Sequence, residues 1–331
     1  MRVSVIGAGS WGTAFSRLTA TSGHSTVLWS RKENQAQRMR NKGENEKYLP
    51  GASLPEENFS ITTDISKAVS HGEVIFLAVP SFAVREVASR VAPHIDDHTY
   101  YLVNLAKGFE KSSFKTMSEV LREEVKGVEV FTLSGPSHAE EVAAGDPTAV
   151  ILAGDLDIGR ELQEELSTGT FRIYLSSDIG GVEYCGGYKN IIAIASGIAR
   201  GLGYGDNTTS ALISRGLAEM VKFGRSMGAR KETFFGLAGV GDLVATCTSE
   251  HSRNRSFGVK VGKGQSVEVI LDKMDMVVEG VFATRNVHQL CSDRNIPVPI
   301  TDSLYRIIEE ESSPSREVKR LMSREFKVED I

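Results

Sequence analysis

Arg2-Val3-Ser4-Val5-Ile6-Gly7-Ala8-Gly9-Ser10-Trp11-Gly12 sets five β-prone residues before three glycines in the spacing GxGxxG, and a helical run follows to about residue 20. Glycine-rich turns are common, so the string alone says little. Its place between a strand and a helix, at the start of a βαβ unit, makes it informative. There Gly7 permits the tight turn, Gly9 lets the backbone approach a pyrophosphate, and Gly12 lets the helix pack on the sheet. The helix N-terminus adds amide donors and a positive dipole for phosphate.

Outward from this stretch, short apolar runs recur at residues 26–29, 74–79, 100–105, 128–133, 148–153 and 171–175, with helical segments between them. Such runs predict a mostly parallel sheet covered on both faces. After Ser176 the periodicity is helical almost throughout, with turns expected at 201–205, 236–241 and 262–264. The fold class expected is therefore α/β: an N-terminal Rossmann-like sheet domain, residues 1–176, and an all-α domain, residues 177–331.

At the end of the second strand NAD binders usually carry an acidic residue for the ribose 2′-hydroxyl. This chain has Ser30-Arg31-Lys32, a basic pair suited to a 2′-phosphate. The pair predicts NADPH, while Glu33 one step further keeps NADH open. Solvated surface charge is the alternative for Arg31 and Lys32.

Bulk properties bound the rest. At 331 residues the chain is comfortable as two domains, and a net charge of -5 argues against a nucleic-acid binder without excluding a local phosphate pocket. Cys185, Cys247 and Cys291 are odd in number and scattered, which predicts reduced core thiols. No targeting segment is visible, and the longest apolar stretch, residues 191–199, is far short of a membrane span. A cytoplasmic protein that is not integral to a membrane is expected. Pro93 and two aspartates place His94 and His98 in a surface turn, so no metal site is expected. The acidic turn at residues 309–314 is expected to be solvated surface.

The segment from Asp178 to Gly203 carries the candidate chemistry. On a helix Lys189 shares a face with Val182, Cys185, Ile192, Ala193 and Ser196. A lysine in an apolar stripe is uncommon, because burying an ammonium without a partner is costly. A packed stem with its head in water is the alternative. Reducing a ketone to a secondary alcohol needs a proton donor and positive charge beside the developing alkoxide, and a partly buried lysine supplies both. Lys107, just after a strand at the carboxyl edge of the sheet, is a candidate second cation that would lower the lysine's pKa. Gly186 and Gly187 suggest close approach of another backbone or a ligand. Further on, Ser252 before a periodic run is a candidate N-cap, and with Arg253 and Arg255 it forms a candidate phosphate trap. A plain capped helix is the competing reading.

These residues resemble a family. Gly7 to Ala14, Ala78-Val79-Pro80-Ser81, Leu133-Ser134-Gly135-Pro136-Ser137 with Ala139-Glu140-Glu141, and Lys189 to Ile194 look like the bacterial NAD(P)-dependent glycerol-3-phosphate dehydrogenases. So do Gly239-Val240-Gly241-Asp242-Leu243, Ser252 to Arg255, and Val278-Glu279-Gly280, in the same order along nearly the whole chain.

The resemblance implies that Lys189 donates and accepts the proton, and that Lys107, Gly135, Ser137, Lys189, Asp242, Ser252, Arg253 and Asn254 hold the substrate. It implies cofactor contacts from Ser10, Trp11, Arg31, Lys107, Ala139, Arg253, Val277 and Glu279, beside Gly7, Gly9, Gly12 and Lys32 from the motif reading. The reaction implied is interconversion of dihydroxyacetone phosphate and sn-glycerol 3-phosphate, supplying glycerophospholipid synthesis. Ala106 and Tyr188 depart from the family pattern, which has threonine before the lysine-glycine pair and a small or aliphatic residue before Lys189. His138 lies in a substrate motif without assigned chemistry. The sequence leaves the oligomeric state open, a homodimer among the options. Alternatives are a related hydroxyl dehydrogenase of the 6-phosphogluconate or 3-hydroxyisobutyrate type, and a non-catalytic NADPH-binding sensor. The latter has no need of Lys107, Lys189 and Asp242 together.

Overall fold

The computed structural model describes residues 1–111, 113–274, 277–325 and 328–329. The chain divides into two compact units: 1–110 with 115–179, and 180–331 with 111–114. The division falls three residues beyond the expected boundary at 176, at the first residue of the helix Ile179–Gly201.

In the first unit the strands are β1 (Arg2–Ile6), β2 (Ser25–Trp29), β3 (Glu44–Asn45), β4 (Leu49–Ser53), β5 (Phe59–Thr62), β6 (Val74–Leu77), β7 (Tyr101–Asn104), β8 (Glu129–Ser134), β9 (Thr148–Ala153) and β10 (Phe171–Ser176). Eight of them form one sheet in the order β10-β9-β8-β7-β6-β1-β2-β5, while β3 and β4 pair separately. All pairings in the large sheet are parallel except β8 with β9. The Rossmann-like, mostly parallel sheet is thus present. The periodicity did not indicate β5, nor the small β3–β4 ribbon.

The helices of this unit are α1 (Ser10–Thr21), α2 (Glu33–Lys42), α3 (Ile65–His71), α4 (Val84–Val91), α5 (Met117–Glu124), α6 (Ala139–Ala144) and α7 (Leu156–Leu166). Alternate residues of each strand feed two cores. Val3, Val5, Val74 and Phe76 join Phe15, while Ile6, Ile75 and Leu77 join Val84 and Val120. Burial on both faces is why these strands read as continuous apolar runs. Local chemistry sets the helix starts: Asp64 caps α3, Asp155 caps α7, and Thr116 with Glu119 forms a capping box on α5. Because β1 lies between β6 and β2, its carboxyl end is where strand order reverses, the usual ligand position in such sheets.

The second unit holds α8 (Ile179–Gly201), α9 (Asp206–Ser226), α10 (Asp242–Thr248), α11 (Arg253–Gly262), α12 (Val267–Lys273), α13 (Glu279–Asp293), α14 (Pro299–Glu309) and α15 (Pro314–Met322). Helix α8 is buried on every side from Gly181 to Ile194, so Lys189 lies in a core helix and the single apolar stripe expected for it is corrected. Two contacts fix α8 against α11. A Cβ on Gly197 would stand 2.1 Å from the Arg255 carbonyl oxygen, and one on Gly258 would stand 2.2 Å from that of Ile194. Gly201 and Gly262 repeat the arrangement one turn on. The turn expected at 236–241 is a π-helical turn, Leu237–Gly241, leading straight into α10.

Candidate active site

In the first unit the glycine turn sits at the carboxyl end of β1. Gly7 has φ +126°, and a Cβ there would lie 2.5 Å from the Ala78 carbonyl oxygen. A Cβ on Gly12 would collide with the Gly7 oxygen at 1.9 Å, so turn and helix touch. Around Gly9 the space a Cβ would enter is empty within 4 Å. The Ala8 carbonyl accepts from Gln35 Nε2 at 2.6 Å and from Asn45 Nδ2 at 3.1 Å. These two amides shape the turn, and sequence reading missed both. Ser10 begins α1, and Trp11, half-buried, leans on Phe15 with ring centroids 5.8 Å apart. The turn thus offers a helix start behind an open glycine, which fits a pyrophosphate group.

At the end of β2, Arg31 and Lys32 are exposed beside buried Ser30. Glu33 is occupied: Thr63 Oγ1 donates to its carboxylate at 2.6 Å and Arg40 at 3.1 Å. The Thr63 hydrogen bond, followed by that of Arg40, holds the Glu33 carboxyl below its ordinary range.

Further along the same sheet edge, Lys107 follows β7. Asn104 shapes the loop before it, accepting from Ala106 N at 2.9 Å and donating to the Ala106 oxygen at 3.0 Å. Lys107 Nζ donates to the Gly135 carbonyl at 2.8 Å, and Ser137 Oγ donates to the same oxygen at 3.0 Å. Gly135 has φ +138°, and a Cβ would stand 3.0 Å from Val150 Cα, so only glycine fits the end of β8 comfortably. His138 precedes α6, which Ala139, buried, begins.

In the second unit the side chain of Lys189 is 8% exposed. Its Nζ donates to Asp242 Oδ1 at 2.5 Å and to Thr246 Oγ1 at 2.8 Å. Asp242 and Thr246 are one turn apart on α10, so a single helix face receives the ammonium. A carboxylate partner for Lys189 was not indicated by any spacing. Asp242, which the resemblance assigned to substrate, has its carboxylate on that lysine.

Ser252 caps α11, accepting from Arg255 N at 3.2 Å, as the sequence suggested. Arg253 is exposed at the first position of that helix. Asn254 bridges: its Nδ2 donates to Asn190 Oδ1 at 2.9 Å and its Oδ1 accepts from Gly280 N at 3.0 Å. One amide hydrogen and one lone pair are left for a ligand. Val277 and Glu279 lie at the start of α13, both half-buried. His94 ends a short 3-10 turn and His98 is exposed. Among the described residues no group of three or more His, Cys, Asp or Glu is placed to hold a metal ion, and no helix is long and apolar enough to cross a membrane.

A glycine turn at the switch point of a parallel sheet and a buried lysine in a helical unit define a nicotinamide-dependent oxidoreductase. Comparisons with known proteins specify it further. The N-terminal domain of NAD-dependent glycerol-3-phosphate dehydrogenase matches residues 2–157, and its C-terminal domain matches residues 178–319. A Thermoanaerobacter protein named glycerol-3-phosphate dehydrogenase, NAD(P)+, is 46% identical over 99% of both chains. One of the same name from Clostridium acetobutylicum is 44% identical over 99% of this chain and 98% of its own. The crystal structure of glycerol-3-phosphate dehydrogenase from Coxiella burnetii superposes with a TM-score of 0.92 at 40% identity, covering 97% of this chain and 98% of the other. The chain belongs to the NAD-dependent glycerol-3-phosphate dehydrogenase family.

Proposed function

We propose that this enzyme interconverts dihydroxyacetone phosphate and sn-glycerol 3-phosphate with NADPH as its preferred cofactor, supplying glycerol 3-phosphate for glycerophospholipid synthesis. The glycine turn of the first unit is the proposed dinucleotide-binding element, and the second unit carries the proton-transfer lysine. The observation that carries the chemistry is the buried Lys189 ammonium, held by Asp242 and Thr246.

The bound nicotinamide supplies the hydride in reduction and takes it in oxidation. Lys189 Nζ gives a proton to the carbonyl oxygen in reduction and recovers it in oxidation, and its charge favours the alkoxide-like transition state. Asp242 and Thr246 hold the amine on α10, so little rotamer freedom is left to lose during reaction. In the second unit Arg253 and the capped start of α11, with Ser252 and Asn254, attract the phosphate. In the first unit Lys107, Gly135 and Ser137 are the proposed substrate residues. Gly7, Gly9, Gly12, Ser10 and Trp11 would hold the pyrophosphate, with Ala139 as a further proposed cofactor residue of the first unit, and Val277 and Glu279 as those of the second.

The preference for NADPH rests on two groups. Arg31 and Lys32 are exposed cations, and the nearby acid, Glu33, is spent on Thr63 and Arg40. Metal takes no part in this scheme. The proposed location is the cytoplasm, and a homodimer is one option for an oligomeric state left open. Turnover of dihydroxyacetone phosphate with NADPH tests the reading. Binding of NADPH without turnover would instead support a sensor.

A further inference from the structure

Three consecutive residues of α8 tie it to different helices. Tyr188 Oη donates to Glu219 Oε1 of α9 at 2.8 Å and lies 2.9 Å from Thr301 Oγ1 of α14. Lys189 bonds α10, and Asn190 receives Asn254 of α11. Successive helix residues point about 100° apart, so the three bonds leave the helix on three sides. All three residues are buried.

The Tyr188 arm has no part in the chemistry above. Glu219 is 5% exposed, and its carboxylate also accepts from Ile300 N at 2.8 Å, Thr301 N at 2.9 Å and Thr301 Oγ1 at 2.8 Å. Those amides open α14, where a carboxylate is favoured. Helices α9 and α14 are therefore joined without Tyr188, and the phenol hydroxyl adds α8 to that join. Phe223 of α9 holds the Tyr188 ring, with centroids 5.2 Å apart. Burial pushes the Tyr188 phenol well above its ordinary range, so it stays a donor.

We propose that Tyr188, through Glu219, is a positioning residue that sets the rotation of α8 and thereby the aim of Lys189. The proposal rests on the reading of Lys189 as proton carrier. A helix with side chains has a radius of about 5–6 Å, so a rotation of about 10° sweeps a side-chain tip through about 1 Å. A displacement of that size costs up to about a hundredfold in rate.

The test is a double-mutant cycle on the full chain, with kcat, KM and Tm measured for wild type, Tyr188→Phe, Lys189→Ala and the pair. Tyr188→Phe keeps the ring and its contact with Phe223. It is expected to fold, to lower kcat about tenfold, and to leave both KM values within about threefold. In the Lys189→Ala background the same change should alter residual kcat by less than about twofold. Glu219→Gln, as a second variant, should show the same dependence on Lys189. An equal loss in both backgrounds would mean a general structural role, and unchanged kcat in Tyr188→Phe would mean no role; either overturns the proposal while leaving Lys189 as proton carrier. Near-normal turnover of Lys189→Ala would instead overturn the reading beneath it.

Discussion

Lys189 Nζ lies 2.5 Å from Asp242 Oδ1, with the two side chains 8% and 3% exposed. An ammonium this deep requires a partner, since an unpaired buried charge costs several kcal/mol. The carboxylate that keeps the charge in the core also aims it, because Thr246 on the next turn of α10 takes a second amine hydrogen. Removing the lysine should therefore abolish chemistry without abolishing the cofactor site. Lys189→Ala is expected to lower kcat by roughly a thousandfold or more while NADPH still binds, as followed by its fluorescence. Near-normal turnover would make Lys189 only a packed helix residue.

Asp242→Asn keeps the shape and removes the charge. It strands a buried ammonium and should cost about 3–5 kcal/mol in denaturant unfolding, with a marked loss of kcat. A variant as stable as wild type would show that the pair is solvated in solution.

The glycine seam between α8 and α11 gives a purely structural prediction. The site for a Cβ on Gly258 is 2.2 Å from the Ile194 carbonyl oxygen, and backbone cannot yield as a side-chain tip can. Gly258→Ala should destabilise the protein by about 2–3 kcal/mol or prevent folding. An unchanged unfolding midpoint would contradict the close approach of the two helices.

The three cysteines are buried and none is in a disulfide. Burial pushes the thiols of Cys247 and Cys291 up to about 12, so little thiolate exists at pH 8. A thiol reagent should label the native chain negligibly and all three cysteines once the chain is unfolded. Rapid labelling of the native protein would contradict that burial.

The proposed preference for NADPH turns on Arg31, exposed at the end of β2. Arg31→Ala should remove one charge-assisted contact, weakening NADPH binding by about 1.5–3 kcal/mol and NADH binding little. Equal losses with both cofactors would refute the 2′-phosphate role.

What the sequence made legible was mostly local. β1 and the glycine turn declare themselves because strand, turn and helix chemistry are contiguous, and Ser252 announces α11 because a cap acts within three residues. β5, with the sequence Phe-Ser-Ile-Thr, pairs only with β2 at the sheet edge and is mostly half-buried, so its apolar pattern is faint. The π-helical stretch at residues 237–241 reads as a plain turn because glycines lower helix propensity. Lys189 was visible as a lysine out of place, but Asp242 lies 53 positions away and Glu219 is 31 from Tyr188. No local rule pairs residues at such separations. The Gln35 and Asn45 side chains on the Ala8 carbonyl were hidden for the same reason.

Substrate choice tests the account most directly. Dihydroxyacetone phosphate differs from dihydroxyacetone by one dianionic group, so discrimination must come from residues that recognise phosphate. In the proposed reading that residue is Arg253, exposed at the start of the Ser252-capped helix. Each charge-assisted hydrogen bond is worth about 1.5–3 kcal/mol, so two or three give at least about a hundredfold preference. The measurement is kcat/KM for the two ketones with NADPH, in wild type and in Arg253→Ala, with NADPH affinity determined on the same variant. The account predicts strong wild-type preference for the phosphorylated ketone and loss of most of it in Arg253→Ala. Equal wild-type turnover of both ketones, or preference for a carboxylate-bearing substrate, would contradict it.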